Sequence, residues 1–222
     1  MFYNIITLIL PIYYYFIVVS FLVSFLLFKQ PRTALYLKLF CPFLGVSILV
    51  EGYALYLRAQ NRSNLVLYSY FTTLEFVFYL YVLSCIVSNP KMRSVIRYTL
   101  VLNAFIAVID IFFIQKNGFN SIAYSFSCLL VISFSIFYFF ELFRNPQSKR
   151  IINEPEFWIC LGLLFYYCST LPVFGVITVF FTVSQRVINI LFILLNIMNI
   201  ILYTFFIIAF LCRVRIRKYI SQ

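Results

Sequence analysis

Histidine is absent from this chain and charge is scarce: 10% of its 222 residues are Asp, Glu, Lys or Arg, against about 25% in soluble domains. Without histidine there is no His-ligated haem and no H-E-x-x-H zinc protease. Rhomboid-type Ser-His catalysis and the seven-span hydrolases that hold zinc with histidines are excluded as well. The last apolar segment has no lysine, so retinal has no amine for a Schiff base. With five glycines in the whole chain, no Gly-rich phosphate loop can be found. The six cysteines (Cys41, Cys85, Cys128, Cys160, Cys168 and Cys212) show no C-x-x-C spacing, and each falls in or at the end of an apolar run. They fit neither a disulfide framework nor a zinc site and read as small apolar packing residues. No cofactor or metal is expected. A Glu75 and Asp110 acid/base pair is not by itself a mechanism, and the chain is expected not to be an enzyme.

What is present is apolar: 64% hydrophobic residues, 22% aromatic, and a mean hydropathy of +1.03. No soluble core hides that much apolar surface. Hydrocarbon cannot hydrogen-bond a backbone, so such a chain crosses a bilayer as helices or as a closed barrel. The apolar runs last about 20 residues, where barrel strands would alternate over about ten. The expected fold class is therefore all-α: an integral membrane seven-helix bundle forming a single domain over 1–222. Charge clusters and Pro/Asn-rich breaks place the spans at about 5–28, 34–57, 64–88, 95–115, 120–143, 157–182 and 188–212. No cation precedes the first run and no small-residue cleavage site follows it, so it is expected to remain as a span. Connections are short, and neighbours in sequence are expected to pack antiparallel.

Orientation follows from the cations. Lys29, Arg32, Lys91, Arg93, Arg97, Arg144, Lys149, Arg150, Arg213, Arg215, Arg217 and Lys218 lie on one side, twelve in all; Arg58, Arg62, Lys116 and Arg186 lie on the other. The positive-inside rule puts the first side in the cytoplasm, with the N-terminus outside and the C-terminus inside. The net charge of +11 is then membrane-surface charge rather than a nucleic-acid footprint. Arg213, Arg215, Arg217 and Lys218, on a short basic cytoplasmic tail over 213–222, are expected to contact anionic headgroups at about 1 kcal/mol each. Trp158 begins the sixth span on the same side, where an indole suits the headgroup layer.

Carboxylates inside spans need an explanation, because each costs at least about 2.5 kcal/mol to insert. Glu51, Glu75 and Asp110 fall in three consecutive spans, in the half away from the basic side, with Glu75 near the midplane. Glu141 sits at a span end with Arg144 three residues on, a spacing suited to an interfacial ion pair. Tyr68, Thr72, Glu75 and Tyr79 share one helical face; Thr99, Asn103 and Asp110 share another. Asn189, Asn196, Asn199 and Tyr203 line one side of the seventh span. Such stripes face a bundle interior. Their hydroxyls and amides are explained by interhelical packing. The carboxylates call for a hydrated or ligand-binding cavity, and its candidates are Glu51, Glu75, Asp110, Tyr68, Thr72, Tyr79, Asn103, Asn196 and Asn199. In the sixth span Pro172 removes a backbone hydrogen bond, with Gly175 close behind it, which marks a candidate hinge.

The segments L-Y-S-Y-F-T-T-L-E-F-V-F-Y-L-Y (Leu67 to Tyr81) and F-W-I-C-L-G-L-L-F-Y-Y-C-S-T (Phe157 to Thr170) resemble a group of small, uncharacterised bacterial seven-span inner-membrane proteins. Some members of that group lie beside two-component sensor genes. The resemblance implies a multi-pass protein of the bacterial inner membrane and assigns no catalytic residue. The combined reading is a non-enzymatic membrane sensor or signalling component that acts through a separate cytoplasmic or membrane partner. Its alternatives are a transporter of ions or small solutes using Glu75, and a structural subunit of a membrane complex.

Overall fold

The computed structural model describes residues 2–28, 33–115, 118–144, 151–179 and 185–220. Lys29, Arg32, Lys116, Lys149 and Arg150 lie outside them, as do the side chains of Arg215, Arg217 and Lys218. The described residues form seven α-helices and no strand: α1 (Phe2–Phe28), α2 (Leu35–Ala59), α3 (Leu65–Ile86), α4 (Pro90–Ile109), α5 (Ser121–Arg144), α6 (Pro155–Val179) and α7 (Gln185–Ile220). A π turn, Asp110–Ile114, extends α4, and a 3₁₀ turn, Ile151–Asn153, precedes α6. The helices α2 to α7 are long and apolar enough to cross a bilayer; α1 is apolar over Ile12–Leu27. The chain is a multi-pass membrane protein.

Local chemistry sets the helix ends. Asn89 precedes α4 and accepts from the N–H groups of Lys91 and Met92, while Pro90 occupies the first helical position, where no N–H is needed. The cap carries α4 back through Lys91 and Arg93, ahead of the apolar run that opens the expected span at 95. At the other extreme, α7 has 36 residues, about 54 Å at 1.5 Å per residue, which exceeds a hydrocarbon core of about 30 Å. The basic tail is therefore not a loose end: its backbone continues α7 through Ile220.

The helices group into two compact units, Met1–Ile48 with Pro146–Gln222, and Leu49–Asn145. In the first, α7 packs closely on α6 and on α1. Phe40 of α2 places its ring edge-on to Phe206 and Phe210 of α7, at centroid distances of 5.1 and 5.3 Å, a geometry favoured by the ring quadrupole. Gly162 lets α6 approach α7: a Cβ there would lie 3.1 Å from Cβ of Phe205 and 3.3 Å from Leu202. Trp158 stacks on Phe205 at 5.7 Å, and its Nε1 donates to the Ile152 carbonyl at 2.7 Å. Pro172 sits on an exposed face of α6, which continues past it to Val179.

In the second unit α3 packs on α4 and α5, and α4 on α5. Buried residues recur at helical spacing on facing sides: Ile96, Asn103 and Ala107 on α4, and Ala123, Ser127, Val131, Phe134 and Tyr138 on α5. Phe76 of α3 meets Tyr124 of α5 edge-on at 5.4 Å. Glu141 accepts from the Ser88 N–H at 2.9 Å. It thus closes the α3–α4 turn against the end of α5, where a pair with Arg144 had been expected.

Candidate carboxylate and phenol site

Several hydroxyls and amides of the spans, Thr72 and Thr99 of the expected stripes among them, are satisfied within their own helices. Ser47 donates to Phe43 O, Ser125 to Ser121 O, Thr99 to Ile96 O and Thr72 to Ser69 O. Asn196 and Asn199 behave alike: their Nδ2 groups donate to Phe192 O at 2.7 Å and Leu195 O at 3.1 Å. A backbone carbonyl one turn back is an acceptor that every helix supplies. Asn196 and Asn199 also belong to the first unit, whereas Glu51, Glu75 and Asp110 belong to the second.

Fewer bonds run between helices, and these define the sites. The hydroxyl of Tyr68, in the first turn of α3, donates to Glu51 Oε2 of α2 at 3.0 Å. Both residues are half-buried, and the exposed Arg58 lies within electrostatic range of Tyr68. Two turns further along the same face of α3, Glu75 has Tyr79 one turn beyond it and Glu51 within electrostatic range. Tyr79 is fully buried and Thr72 nearly so. Glu51, Tyr68, Glu75 and Tyr79 thus form one run of alternating carboxylates and phenols, leading from the α2–α3 turn into the span. A carboxylate pair presents negative charge to a cation, and the phenols add hydroxyls and ring faces that suit the same charge.

Asp110 takes a different part. Its side chain is fully buried, and Oδ2 accepts from the N–H of Ala123 in the first turn of α5 at 2.9 Å. The neighbouring Gln115 accepts from the Ser121 N–H at 2.7 Å. The π turn supplies this placement, with the Gln115 N–H bonded five residues back to the Asp110 carbonyl. Asp110 therefore acts as an anionic cap on α5, where a helix N-terminus favours negative charge. Asn103 is also fully buried and accepts from Ser127 Oγ at 2.8 Å.

Two contacts were not expected from the sequence. Asn120 and Ser69 join the start of α5 to α3: the Asn120 N–H donates to Ser69 Oγ at 3.2 Å, and Ser69 Oγ donates to the Gly118 carbonyl at 3.1 Å. Asn immediately before a helical run is a common cap, but here the side-chain amide donates to α3 instead. In the first unit, the Tyr36 hydroxyl donates to Glu156 Oε1 in the first turn of α6, with Arg213 of α7 within electrostatic range. Those partners lie 120 residues apart, and no local pattern announces them.

Among the described residues no group of three or more His, Cys, Asp or Glu is placed to hold a metal ion. No protein-family model, no curated protein and no solved structure matches the chain.

Proposed function

We propose that this chain is a non-enzymatic sensor or signalling component of a bacterial inner membrane, with its N-terminus outside and its basic C-terminus in the cytoplasm. In this reading Glu51, Tyr68, Glu75 and Tyr79 receive a small cationic ligand from the outer side, and a separate partner protein reads the result. The observation that carries it is the Tyr68 to Glu51 bond between α3 and α2, with Glu75 next along the same face. A ligand that neutralises both carboxylates changes what holds the two helices together. The twelve-to-four cation distribution supports the orientation. The backbone of α7 runs past the length a bilayer needs, and the sequence of its end carries Arg213, Arg215, Arg217 and Lys218, a charge that suits anionic headgroups or an acidic partner surface. Affinity purification from native membranes tests the reading. A cytoplasmic protein should co-purify, in an amount that changes with Glu75→Gln, and repeated failure to capture one counts against it.

Carboxylates at two depths also favour a second reading, in which Glu51 and Glu75 pass a proton or cation into the membrane. Flux into liposomes separates the two. A transporter should lose flux on Glu75→Gln, whereas a sensor shows none to lose.

A further inference from the structure

The junction of α4 with α5 holds a second set of polar groups, apart from the carboxylates of α2 and α3. Asp110 and Asn120 are 0% and 2% exposed, and Oδ1 of each is buried without a hydrogen-bond partner. Both side chains are held so that this one atom is left over. The other oxygen of Asp110 is committed to the Ala123 N–H at 2.9 Å. The Nδ2 of Asn120 donates to the Ser69 carbonyl at 3.5 Å and to Thr73 Oγ1 at 3.4 Å, and the backbone carbonyl of Asn120 accepts from the Tyr124 N–H at 2.9 Å. Asn120 immediately precedes α5, and Asp110 is bonded into the first turn of that helix, so both side chains are anchored at its start. Both are acceptors, and what they lack is positive charge or a donor.

The α5 N-terminus supplies only about half an elementary charge against the full charge of the Asp110 carboxylate. Asp110 is not bonded to any Lys or Arg among the described residues. The donor set is oxygen only, with no thiolate or imidazole, which suits a hard cation rather than a transition metal. One carboxylate calls for one positive charge. The π turn that presents Asp110 is a feature often found at functional sites.

We propose that Asp110 and Asn120 bind a single monovalent alkali cation at the start of α5, and that the ion fastens α5 to α4 and α3. The inference is independent of the cationic-ligand reading for Glu51 and Glu75. The test is thermal unfolding of the full chain in detergent, titrated with NaCl or KCl against choline chloride at equal ionic strength. The midpoint should rise and saturate with one or both alkali ions. Asp110→Asn and Asn120→Leu should abolish that rise, while Ser135→Ala should keep it. Equal midpoints in alkali and choline salts would overturn the proposal, as expected if a buried water satisfied both oxygens. A rise surviving in Asn120→Leu would also overturn it. Should Asp110→Asn fail to fold, the wild-type titration and Asn120→Leu still decide.

Discussion

Removing the Tyr68 hydroxyl probes a side-chain bond that ties α3 to the Glu51 carboxylate. Its length, 3.0 Å, is that of a well-formed hydrogen bond, and a bond to a charged acceptor contributes about 1.5–3 kcal/mol in proteins generally. Two features lower the figure here. Both residues are half-buried, so water partly replaces the lost donor, and interhelical bonds in one measured membrane protein averaged about 0.6 kcal/mol with a maximum near 1.7. Tyr68→Phe should therefore destabilise the folded chain by about 1 kcal/mol, and more of that loss should appear in the faster unfolding of α3 from α2 than in global structure. A double-mutant cycle with Glu51→Ala isolates the pair. Reversible unfolding in mixed micelles supplies the four stabilities, and a coupling energy of about 1 kcal/mol is expected. A coupling under about 0.3 kcal/mol, within the usual error of additivity, would refute the claim that this bond joins the helices.

Three further outcomes follow from the packing and the termini. Gly162→Val should destabilise by about 1–3 kcal/mol through overpacking, because even a Cβ would lie 3.1 Å from Phe205; an unchanged midpoint would mean α6 and α7 are not so close. Asn89→Ala removes the acceptor for two amides of α4 and should cost about 1 kcal/mol, measured in the same unfolding assay, with Asn89→Asp retaining the cap. Replacing Arg213, Arg215, Arg217 and Lys218 with Gln should weaken retention of anionic lipid through purification, by about 1 kcal/mol per cation at low salt and by less as salt rises. Equal retention of anionic and zwitterionic lipid by the wild type would contradict the expectation.

The helices were readable because a bilayer imposes a length: a run of about 20 apolar residues has few alternatives to a membrane helix. The face carrying Tyr68, Thr72, Glu75 and Tyr79 was readable for a similar reason, since helical periodicity alone aligns them. Partner choice was not. Asn196 and Asn199 form as regular a stripe as Tyr68 and Glu75, yet they bond to their own helix at Phe192 and Leu195. Sequence does not tell a polar side chain that satisfies itself locally from one that reaches across. Asp110 was legible as a costly residue but not as a cap, because its bond to Ala123 depends on a π turn that hydropathy does not encode. Tyr36 and Glu156 needed the tertiary fold to meet at all.

The most direct test of the carboxylate and phenol site uses Tyr68→Cys, with the six native cysteines replaced, in intact cells. Membrane-impermeant methanethiosulfonates of opposite charge are applied from outside, and modification is timed. A hydrated, cation-attracting site open to the outer side predicts faster reaction with the cationic reagent than with the anionic one, and loss of that preference on adding Glu51→Gln together with Glu75→Gln. Reaction only from the cytoplasmic side, or equal rates for the two reagents, would contradict it.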